Sequence, residues 1–244
     1  MSTDLKLFID FDGTIARGDV GNAFFRHFGG DICGEWIARY HDGAISAQAC
    51  FEGEREAMGR LRREEADAFL ETCAIDPGFS TLITFCRGAG IPVTILSDGL
   101  DYYITPLLQR SGHDDLPCFS NRLEWGPIGD DGRAFPVLQF PFGNAECDRC
   151  ACCKRNIMLG ASGEEDVIAY VGDGYSDRCP VEYADVVCAK GDLQAWCQKH
   201  NISYYPYHDL DDVRRRLEEL TERRTVRRRP RAEQRRKEAF GSEA

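Results

Sequence analysis

The sequence predicts an α/β protein with a Rossmann-like core built on a mainly parallel sheet. Three short apolar runs, LKLFID, IPVTILSD and VIAYVGD, are typical of strands that are buried on both faces, and ADVVCAK follows as a fourth. Helical segments lie between these runs, one over residues 81–90 that ends in glycine and one from Lys154 to about Gly160. Alternating strands and helices imply parallel strands joined by right-handed crossovers.

Each of the first three runs ends in reactive side chains. The first leads into Asp10 and Asp12, the second into Ser97 and the third into Asp173. Because ligands of open α/β sheets bind beyond the carboxyl ends of the strands, we expect these residues to converge on one crevice. The first stretch alone is equally compatible with an acidic turn. Three such strand ends together predict a site for a hard cation such as Mg²⁺ and for phosphate oxygens.

Composition indicates a globular protein. The chain has 244 residues, 43% of them hydrophobic, which is enough for a large core. Its net charge of −11 argues against nucleic acid as the main substrate. No apolar run approaches the roughly 20 residues that cross a bilayer, and the first residues lack the features of a signal peptide. We therefore expect a cytoplasmic protein that has no membrane partner; the oligomeric state is not predicted.

Sequence patterns divide the chain into a core and three additions. Residues 1–15 and 77–213 are expected to form the α/β core, and residues 16–76, which carry helical patterns, to form a helical cap over the crevice. Residues 118–142 contain two strand-like segments around a turn-rich one, which predicts a β-hairpin inserted in the core. Residues 214–244 form an Arg-rich tail.

The C-terminal part of the chain differs in charge from the rest, since residues 211–244 carry 12 basic and 8 acidic residues. Its first part can continue a helix. Few apolar residues follow Pro230, so we expect fraying or disorder beyond it. An Arg run can bind nucleic acid or a membrane surface, but without interleaved aromatic residues the preferred interpretation is a solvated tail.

Four motifs occur in the order typical of the haloacid dehalogenase superfamily of phosphoryl-transfer enzymes, which the chain resembles over most of residues 4–213. The motifs are DFDGT at residues 10–14, Ser97 after the second strand, Lys154 at a helix start, and GDGYSD at residues 172–177. The resemblance implies a phosphatase in which Asp10 is the nucleophile and forms an aspartyl-phosphate. It also implies that Asp12 is first the general acid and then the general base.

The same resemblance implies a magnesium site. Asp10, the backbone carbonyl of Asp12 and Asp173 would hold Mg²⁺. Asp177 would support the site through water or by orienting Lys154.

Phosphate and substrate contacts are expected from four further positions. Ser97 and Lys154 are candidates to bind the equatorial phosphate oxygens, and Thr14 can offer hydroxyl and backbone donors. Asp98 stands where related phosphatases often have glycine, so an additional anion is expected beside the phosphate.

The expected substrate is a small phosphorylated metabolite. The helical insertion resembles the cap of the phosphoserine phosphatase branch. The run LSDGLDYYITPLL, the hairpin and the cysteine-rich approach to Lys154 resemble the methionine-salvage phosphatases that act on 2-hydroxy-3-keto-5-methylthiopentenyl-1-phosphate. A phosphoserine or phosphoethanolamine phosphatase is the alternative enzyme. A phospho-accepting receiver domain is the alternative that is not an enzyme, although receivers are shorter and lack a cap.

The chain contains 12 cysteines, four of them in the segment CDRCACC. Cys147 and Cys150 have the spacing of a zinc-ligand pair, but Cys152 and Cys153 are adjacent and a second well-spaced pair is missing. Structural zinc, a redox-sensitive pair and plain free thiols therefore all remain as interpretations, with plain thiols preferred.

Overall fold

The structure is a computed structural model that describes residues 5–222 and 226–241. Its strands are β1 (Leu5–Ile9), β2 (Val93–Leu100), β3 (Cys118–Trp125), β4 (Pro136–Gln139), β5 (Val167–Gly172), β6 (Val186–Ala189) and β7 (Tyr205–Pro206). They form one seven-stranded sheet in the order β4-β3-β2-β1-β5-β6-β7. Every neighbouring pair is parallel except β3 with β4. The predicted α/β class with a mainly parallel sheet is confirmed.

Helices connect the strands. They are α1 (Val20–Gly29), α2 (Ile32–His41), α3 (Ala47–Met58), α4 (Arg63–Leu70), α5 (Phe79–Ala89), α6 (Asp101–Ser111), α7 (Lys154–Gly160), α8 (Gly191–Lys199), α9 (Leu210–Glu222) and α10 (Pro230–Gly241). Two short 3₁₀ helices, Ser176–Arg178 and Pro180–Glu182, lie between β5 and β6.

The central strands are buried on both faces, as their nearly continuous apolar sequences require. Leu7 and Ile9 of β1 belong to a large core cluster on one face of the sheet. Phe8 belongs to a smaller cluster on the other face, together with Tyr170 of β5. Alternate side chains along one strand therefore pack into two separate hydrophobic clusters, one on each face of the sheet.

The register of the sheet brings the strand ends together. Ile9 lies beside Ile95 of β2 and beside Val171 of β5. Asp10 follows Ile9 directly, and Ser97 and Asp173 each lie two residues beyond the partners of Ile9. The parallel register therefore places these side chains together at the carboxyl ends of the central strands, as the sequence predicted.

Four helices, α1 to α4, lie between β1 and β2 in the chain. The two ends of this segment lie side by side where it joins the core, because Ala16 and Ile75 form an antiparallel bridge. Aromatic rings hold α1 against α4 and α6, with the Phe24 ring centroid 5.6 Å from that of Phe69 and 6.0 Å from that of Tyr102. We propose that residues 16–76 act as the cap and that the remaining boundaries follow the predicted division.

The predicted hairpin exists as an antiparallel pair, in which Arg122 lies opposite Gln139 and Trp125 opposite Pro136. It does not stand apart from the core, because β3 also pairs in parallel with β2. Leu61, just after α3, forms a further bridge to Ala134. The hairpin therefore extends the sheet edge and also contacts the cap segment.

The tail differs from the expectation. Residues Pro230–Gly241 form helix α10, so the fraying expected beyond Pro230 is wrong for this segment. Arg236, which is 3% exposed, pairs with the buried Asp185 at 3.0 Å and donates to the carbonyl of Tyr183 at 2.6 Å. A buried ion pair, rather than an apolar stripe, anchors the helix. Residues 223–225 and 242–244 lie outside the described residues.

Across the described ranges, we find no helix with the length and apolar character that crossing a membrane requires.

Candidate active site

A sharp turn follows β1 and carries the DFDGT motif. Gly13 has a φ of +71°, and a Cβ atom there would lie only 2.1 Å from Oδ2 of Asp173. Glycine is therefore required both by the left-handed backbone and by the closeness of the GDGYSD loop. This turn places the backbone of Gly13 against the Asp173 side chain, and an oxygen of Asp173 lies within 4.8 Å of one of Asp10.

Lys154 is buried at the centre of the site. Its Nζ donates to Oδ1 of Asp10 at 2.5 Å and to Oδ1 of Asp177 at 2.7 Å. Burial alone would lower the pKa of Lys154, but the charges of Asp10 and Asp177 raise it well above its ordinary value. The lysine is therefore a fixed cation that holds the Asp10 carboxylate in one orientation.

Asp177 has its hydrogen-bonding capacity filled by the protein. Besides Lys154, its Oδ1 accepts from the hydroxyl of Tyr170 at 2.6 Å. Its Oδ2 accepts from the backbone N–H groups of Asp173 and Gly174, both at 3.0 Å. This network indicates that Asp177 orients Lys154 and the loop around Asp173, which is the second of the two roles that the resemblance implied.

Asp10, Asp173 and Asp177 are the group of described side chains that could hold a metal ion, each offering an oxygen within 4.8 Å of the others. Burial and, next to it, the charge of Asp177 raise the pKa of Asp173 to about 7. Burial likewise raises the pKa of Asp10. Such crowded carboxylates with a single lysine among them fit a hard divalent cation, and the all-oxygen donor set fits Mg²⁺. The carboxylate of Asp12 is not part of this described group.

Asp12 faces away from Lys154, toward the cap and α6. Its Oδ1 accepts from the backbone N–H of Gly21 at 3.1 Å, and its Oδ2 accepts from the hydroxyl of Tyr103 at 3.0 Å. Burial, together with the charge of Asp19, raises the pKa of Asp12 to about 7. A carboxyl group in this environment can both donate and accept a proton near neutral pH.

Ser97 and Thr14 lie deeper than we expected of phosphate ligands. The Ser97 hydroxyl is fully buried, accepts from the N–H of Gly99 at 2.9 Å and donates to Oδ2 of Asp12 at 3.3 Å. The Thr14 hydroxyl donates to Oδ1 of Asp173 at 3.4 Å and lies 3.3 Å from the hydroxyl of Tyr207. Both side chains position carboxylates in this structure.

Asp98 lines the same cavity as Asp10, Asp12 and Asp173. Its Oδ1 accepts from the backbone N–H of Cys152 at 2.6 Å, which ties the end of β2 to the loop before Lys154. Burial raises its pKa to about 6. The additional anion expected from the sequence is therefore partly neutralised by backbone donors.

A cavity of about 460 Å³ lies between the carboxyl ends of the central strands and the cap segment. Asp10, Asp12 and Asp173 line its floor, and residues of α1, α2 and α3 line its upper side. The His41 ring stacks on that of Tyr175 with centroids 4.8 Å apart, so the cap contacts the GDGYSD loop directly. The cavity has the size of a small-molecule site.

Sequence reasoning missed the hydroxyl groups that organise the site. Tyr103 and Tyr170, both fully buried, bond to Asp12 and Asp177 respectively. Each tyrosine occupies an apolar position of a strand or helix, so its sequence pattern is that of an ordinary core residue. It also missed Glu54, a buried carboxyl on α3 that lines the cavity. An acidic residue on the buried face of an amphipathic helix was the available signal.

The cysteine cluster approaches the site from the loop before α7. Cys150, Cys152 and Cys153 are buried, and none belongs to a described group of three or more potential metal ligands. A hydrogen bond with Cys150 lowers the pKa of Cys153 to about 6 and raises that of Cys150. The redox-sensitive pair remains a hypothesis for these two residues.

Residues 7–179 match the model of the haloacid dehalogenase-like hydrolases, and the chain belongs to this family. A 2-hydroxy-3-keto-5-methylthiopentenyl-1-phosphate phosphatase from Exiguobacterium sibiricum is 29% identical over 223 residues, covering 86% of this chain and 94% of that protein. A phosphatase of the same name from Geobacillus thermodenitrificans is 27% identical, covering 90% of this chain and 98% of its own length. The expected enzyme class, a phosphoric monoester hydrolase, is confirmed.

The fold is also that of phosphoserine phosphatases. A phosphoserine phosphatase solved as an analogue of its phospho-aspartyl intermediate superposes with a TM-score of 0.64, at 17% identity, over 91% of this chain and 99% of that chain. A second, solved with its substrate, has a TM-score of 0.63 at 16% identity, over 91% of this chain and 99% of that chain. These similarities establish the shared architecture.

Proposed function

We propose that the protein is a Mg²⁺-dependent phosphatase that hydrolyses a small phosphate monoester through an aspartyl-phosphate at Asp10. The observation that carries the proposal is the position of Asp10 at the floor of a cavity that the cap helices line from the other side. There its Oδ1 is fixed by Lys154, and an oxygen of Asp173 lies within 4.8 Å of one of its own. A carboxylate held in this way is oriented to attack a bound phosphorus atom.

The first step transfers the phosphoryl group from substrate to protein. A carboxylate oxygen of Asp10 forms a bond to phosphorus while the bond to the leaving oxygen breaks. Bound Mg²⁺, held by Asp10, the Asp12 carbonyl and Asp173, would offset the negative charge of the phosphoryl oxygens. Lys154 holds the nucleophile and adds a fixed positive charge beside it.

Asp12 handles the proton in both steps. Its neutral carboxyl donates a proton to the departing alkoxide, and the resulting carboxylate then removes a proton from the water that attacks the aspartyl-phosphate. The hydroxyls of Tyr103 and Ser97 and the N–H of Gly21 hold this carboxyl in place. Water attack at phosphorus restores Asp10 and releases inorganic phosphate.

The substrate that we favour is 2-hydroxy-3-keto-5-methylthiopentenyl-1-phosphate, because relatives with that activity align over most of this chain. A phosphoserine or phosphoethanolamine phosphatase on the same scaffold is the second candidate, supported by the shared fold. A receiver domain is disfavoured because helices α1 to α4 cover the acidic residues. We place the enzyme in the cytoplasm, where phosphorylated metabolites of this kind occur.

The test is release of inorganic phosphate by purified protein from a panel of phosphorylated metabolites. We expect repeated turnover with Mg²⁺, none in excess chelator, and recovery when Mg²⁺ is restored. Asp10→Asn and Asp173→Asn should each remove nearly all turnover. The control Asp114→Asn changes an exposed carboxylate on the loop before β3 and should leave turnover intact. Full activity in chelator, or in Asp10→Asn, would contradict the proposal.

A further inference from the structure

We propose that the cap side of the cavity, built around Glu54 and Asn22, selects a leaving group that carries hydroxyl or ammonium donors and no carboxylate. This inference rests on the proposed phosphatase function and specifies its substrate class.

Glu54 is the central observation. It lies on α3, is only 4% exposed and lines the cavity. Its Oε2 has a long contact of 3.8 Å with the thiol of Cys50, and its Oε1 has no hydrogen-bond partner within the described part of the chain. A buried carboxyl oxygen without a partner is costly, and such a group facing a ligand cavity is explained if the ligand supplies the missing donor.

Asn22 supplies a second acceptor from another cap helix. Asn22 lies in the first turn of α1, and its backbone N–H donates to Oδ1 of Asp19 at 2.8 Å. The side-chain Oδ1 of Asn22 is buried, and no partner is found for it among the residues that the structure describes. Both side chains line the same cavity as Asp10. A monoester with its phosphorus at Asp10 would therefore extend its alcohol portion toward these two acceptors.

The charge of the cavity excludes an anionic leaving group. Besides Asp10, Asp12 and Asp173, four further acidic residues line the cavity, namely Asp19, Glu54, Asp98 and Asp192, and the described residues of the lining include neither lysine nor arginine. The lining does contain one histidine, His41, whose ring is stacked on that of Tyr175 with an interplanar angle of 19°. A substrate carboxylate would meet acidic side chains and no lysine or arginine in the described lining, whereas hydroxyl and ammonium donors would meet the two acceptors that lack a partner there.

Burial and the charge of Asp19 raise the pKa of Glu54 to about 8. The cavity therefore holds Glu54 neutral near pH 7 until a donor arrives. A neutral carboxyl accepts a hydrogen bond from a hydroxyl through its carbonyl oxygen. A nearby ammonium group favours the ionised form of the carboxyl, whose proton then passes to water.

Matched esters separate the contributions of donors and charge. Ethyl phosphate has neither group, 1-phosphoglycerol adds hydroxyls, phosphoethanolamine adds an ammonium and phosphocholine carries the same charge without N–H donors. Phosphoserine and 3-phosphoglycerate add a carboxylate. In the unchanged chain we expect kcat/KM to be highest for the hydroxyl and ammonium esters and lowest for the two carboxylates.

Glu54→Leu and the isosteric Glu54→Gln test the assignment. We expect Glu54→Leu to lower the ratio of kcat/KM for 1-phosphoglycerol to that for ethyl phosphate by about 10- to 100-fold, because donors then meet an apolar wall. Glu54→Gln should retain part of the preference for hydroxyl esters and lose that for phosphoethanolamine. The control is Glu56→Gln, two residues along α3 with an exposed side chain, which should leave every ratio intact.

The outcomes separate this inference from the proposed function. If no ester is hydrolysed, including p-nitrophenyl phosphate, the proposed function fails and the inference fails with it. If esters are hydrolysed but phosphoserine is preferred, or if Glu54→Leu lowers every kcat/KM by the same factor, only the inference is overturned.

Discussion

At the scale of single residues, two aspartates two positions apart acquire different chemistry from different neighbours. Asp10 lies against the ammonium of Lys154, whose charge offsets part of the rise that burial and the charge of Asp177 cause in the pKa of Asp10. Asp12 bonds to two hydroxyls and a backbone N–H, and its pKa is raised to about 7 by burial and by Asp19. The sequence predicted the pair, and the family resemblance implied the roles that we propose for it. It did not predict Tyr103, because that contact joins residues 91 positions apart.

The first prediction concerns proton transfer by Asp12. Asp12→Asn keeps the shape of the side chain but removes the transferable proton. Turnover of alkyl phosphates should therefore fall by roughly 10² to 10⁴. The leaving group of p-nitrophenyl phosphate departs without protonation, so phosphoryl transfer to Asp10 should continue while hydrolysis of the aspartyl-phosphate becomes slow. Rapid-quench kinetics should then show a burst of p-nitrophenolate equal to the enzyme concentration.

Ser97→Ala is the matched control, because it removes a hydroxyl bonded to Asp12 but leaves the carboxyl in place. It should slow alkyl and aryl esters without producing a burst. If Asp12→Asn slows both ester types equally and shows no burst, Asp12 has a structural or metal-positioning role instead.

The second prediction concerns Glu54 and the pH dependence of stability. Burial raises its pKa to about 8 in the folded chain, whereas a free glutamate titrates at about 4.3. Between these values the folded state keeps a proton that the unfolded state has lost, so stability falls as pH rises. Glu54→Gln cannot ionise. From about pH 5 to about pH 8 its free energy of unfolding should therefore rise relative to that of the unchanged chain, by about 3.5 kcal/mol.

Urea unfolding of both proteins at the two pH values measures this difference. Glu56→Gln, with its exposed side chain, should show no such dependence. A stability difference for Glu54→Gln that is the same at both pH values would mean that Glu54 already ionises normally in the folded chain.

At the scale of elements, sequence patterns predicted what is local and missed what is distant. The strands and α5 follow from apolar runs and from a closing glycine, Gly90, which has a φ of +67°. The hairpin was predicted, but its pairing with β2 was not, since strand neighbours are not encoded locally. Helix α10 was missed because its anchor joins Arg236 to Asp185, 51 residues earlier, and leaves no periodic apolar pattern.

The third prediction tests that anchor. Arg236→Ala leaves the buried carboxylate of Asp185 without its ion-pair partner, so the free energy of unfolding should fall by about 3 kcal/mol. Lys237→Ala is the control, because this neighbouring lysine pairs with Glu233 at the surface and is 69% exposed. Its removal should change stability little. Equal losses for the two variants in urea unfolding would show that α10 is not held by the buried pair.

At the scale of the whole molecule, the parallel register explains why a site could be predicted from strand ends alone. Asp10 and Asp173 directly follow β1 and β5, and Ser97 lies in the second half of β2, so the parallel register brings the three residues to one crevice whatever lies between them. The depth of Ser97 and Thr14 could not be predicted, because it depends on side-chain packing. The cavity wall could not be predicted either, since it forms only when the cap contacts the core near Tyr175.

The central claim is that the phosphoryl group passes through Asp10, and trapping it on the protein tests this most directly. Wild-type and Asp12→Asn protein would be quenched in acid during turnover of p-nitrophenyl phosphate with Mg²⁺, and their intact masses and peptides measured. We expect one phosphoryl group per chain, located on Asp10, with a larger fraction in Asp12→Asn and none in Asp10→Asn. Phosphate release that continues in Asp10→Asn, or a phosphoryl group found on another residue, would contradict the account.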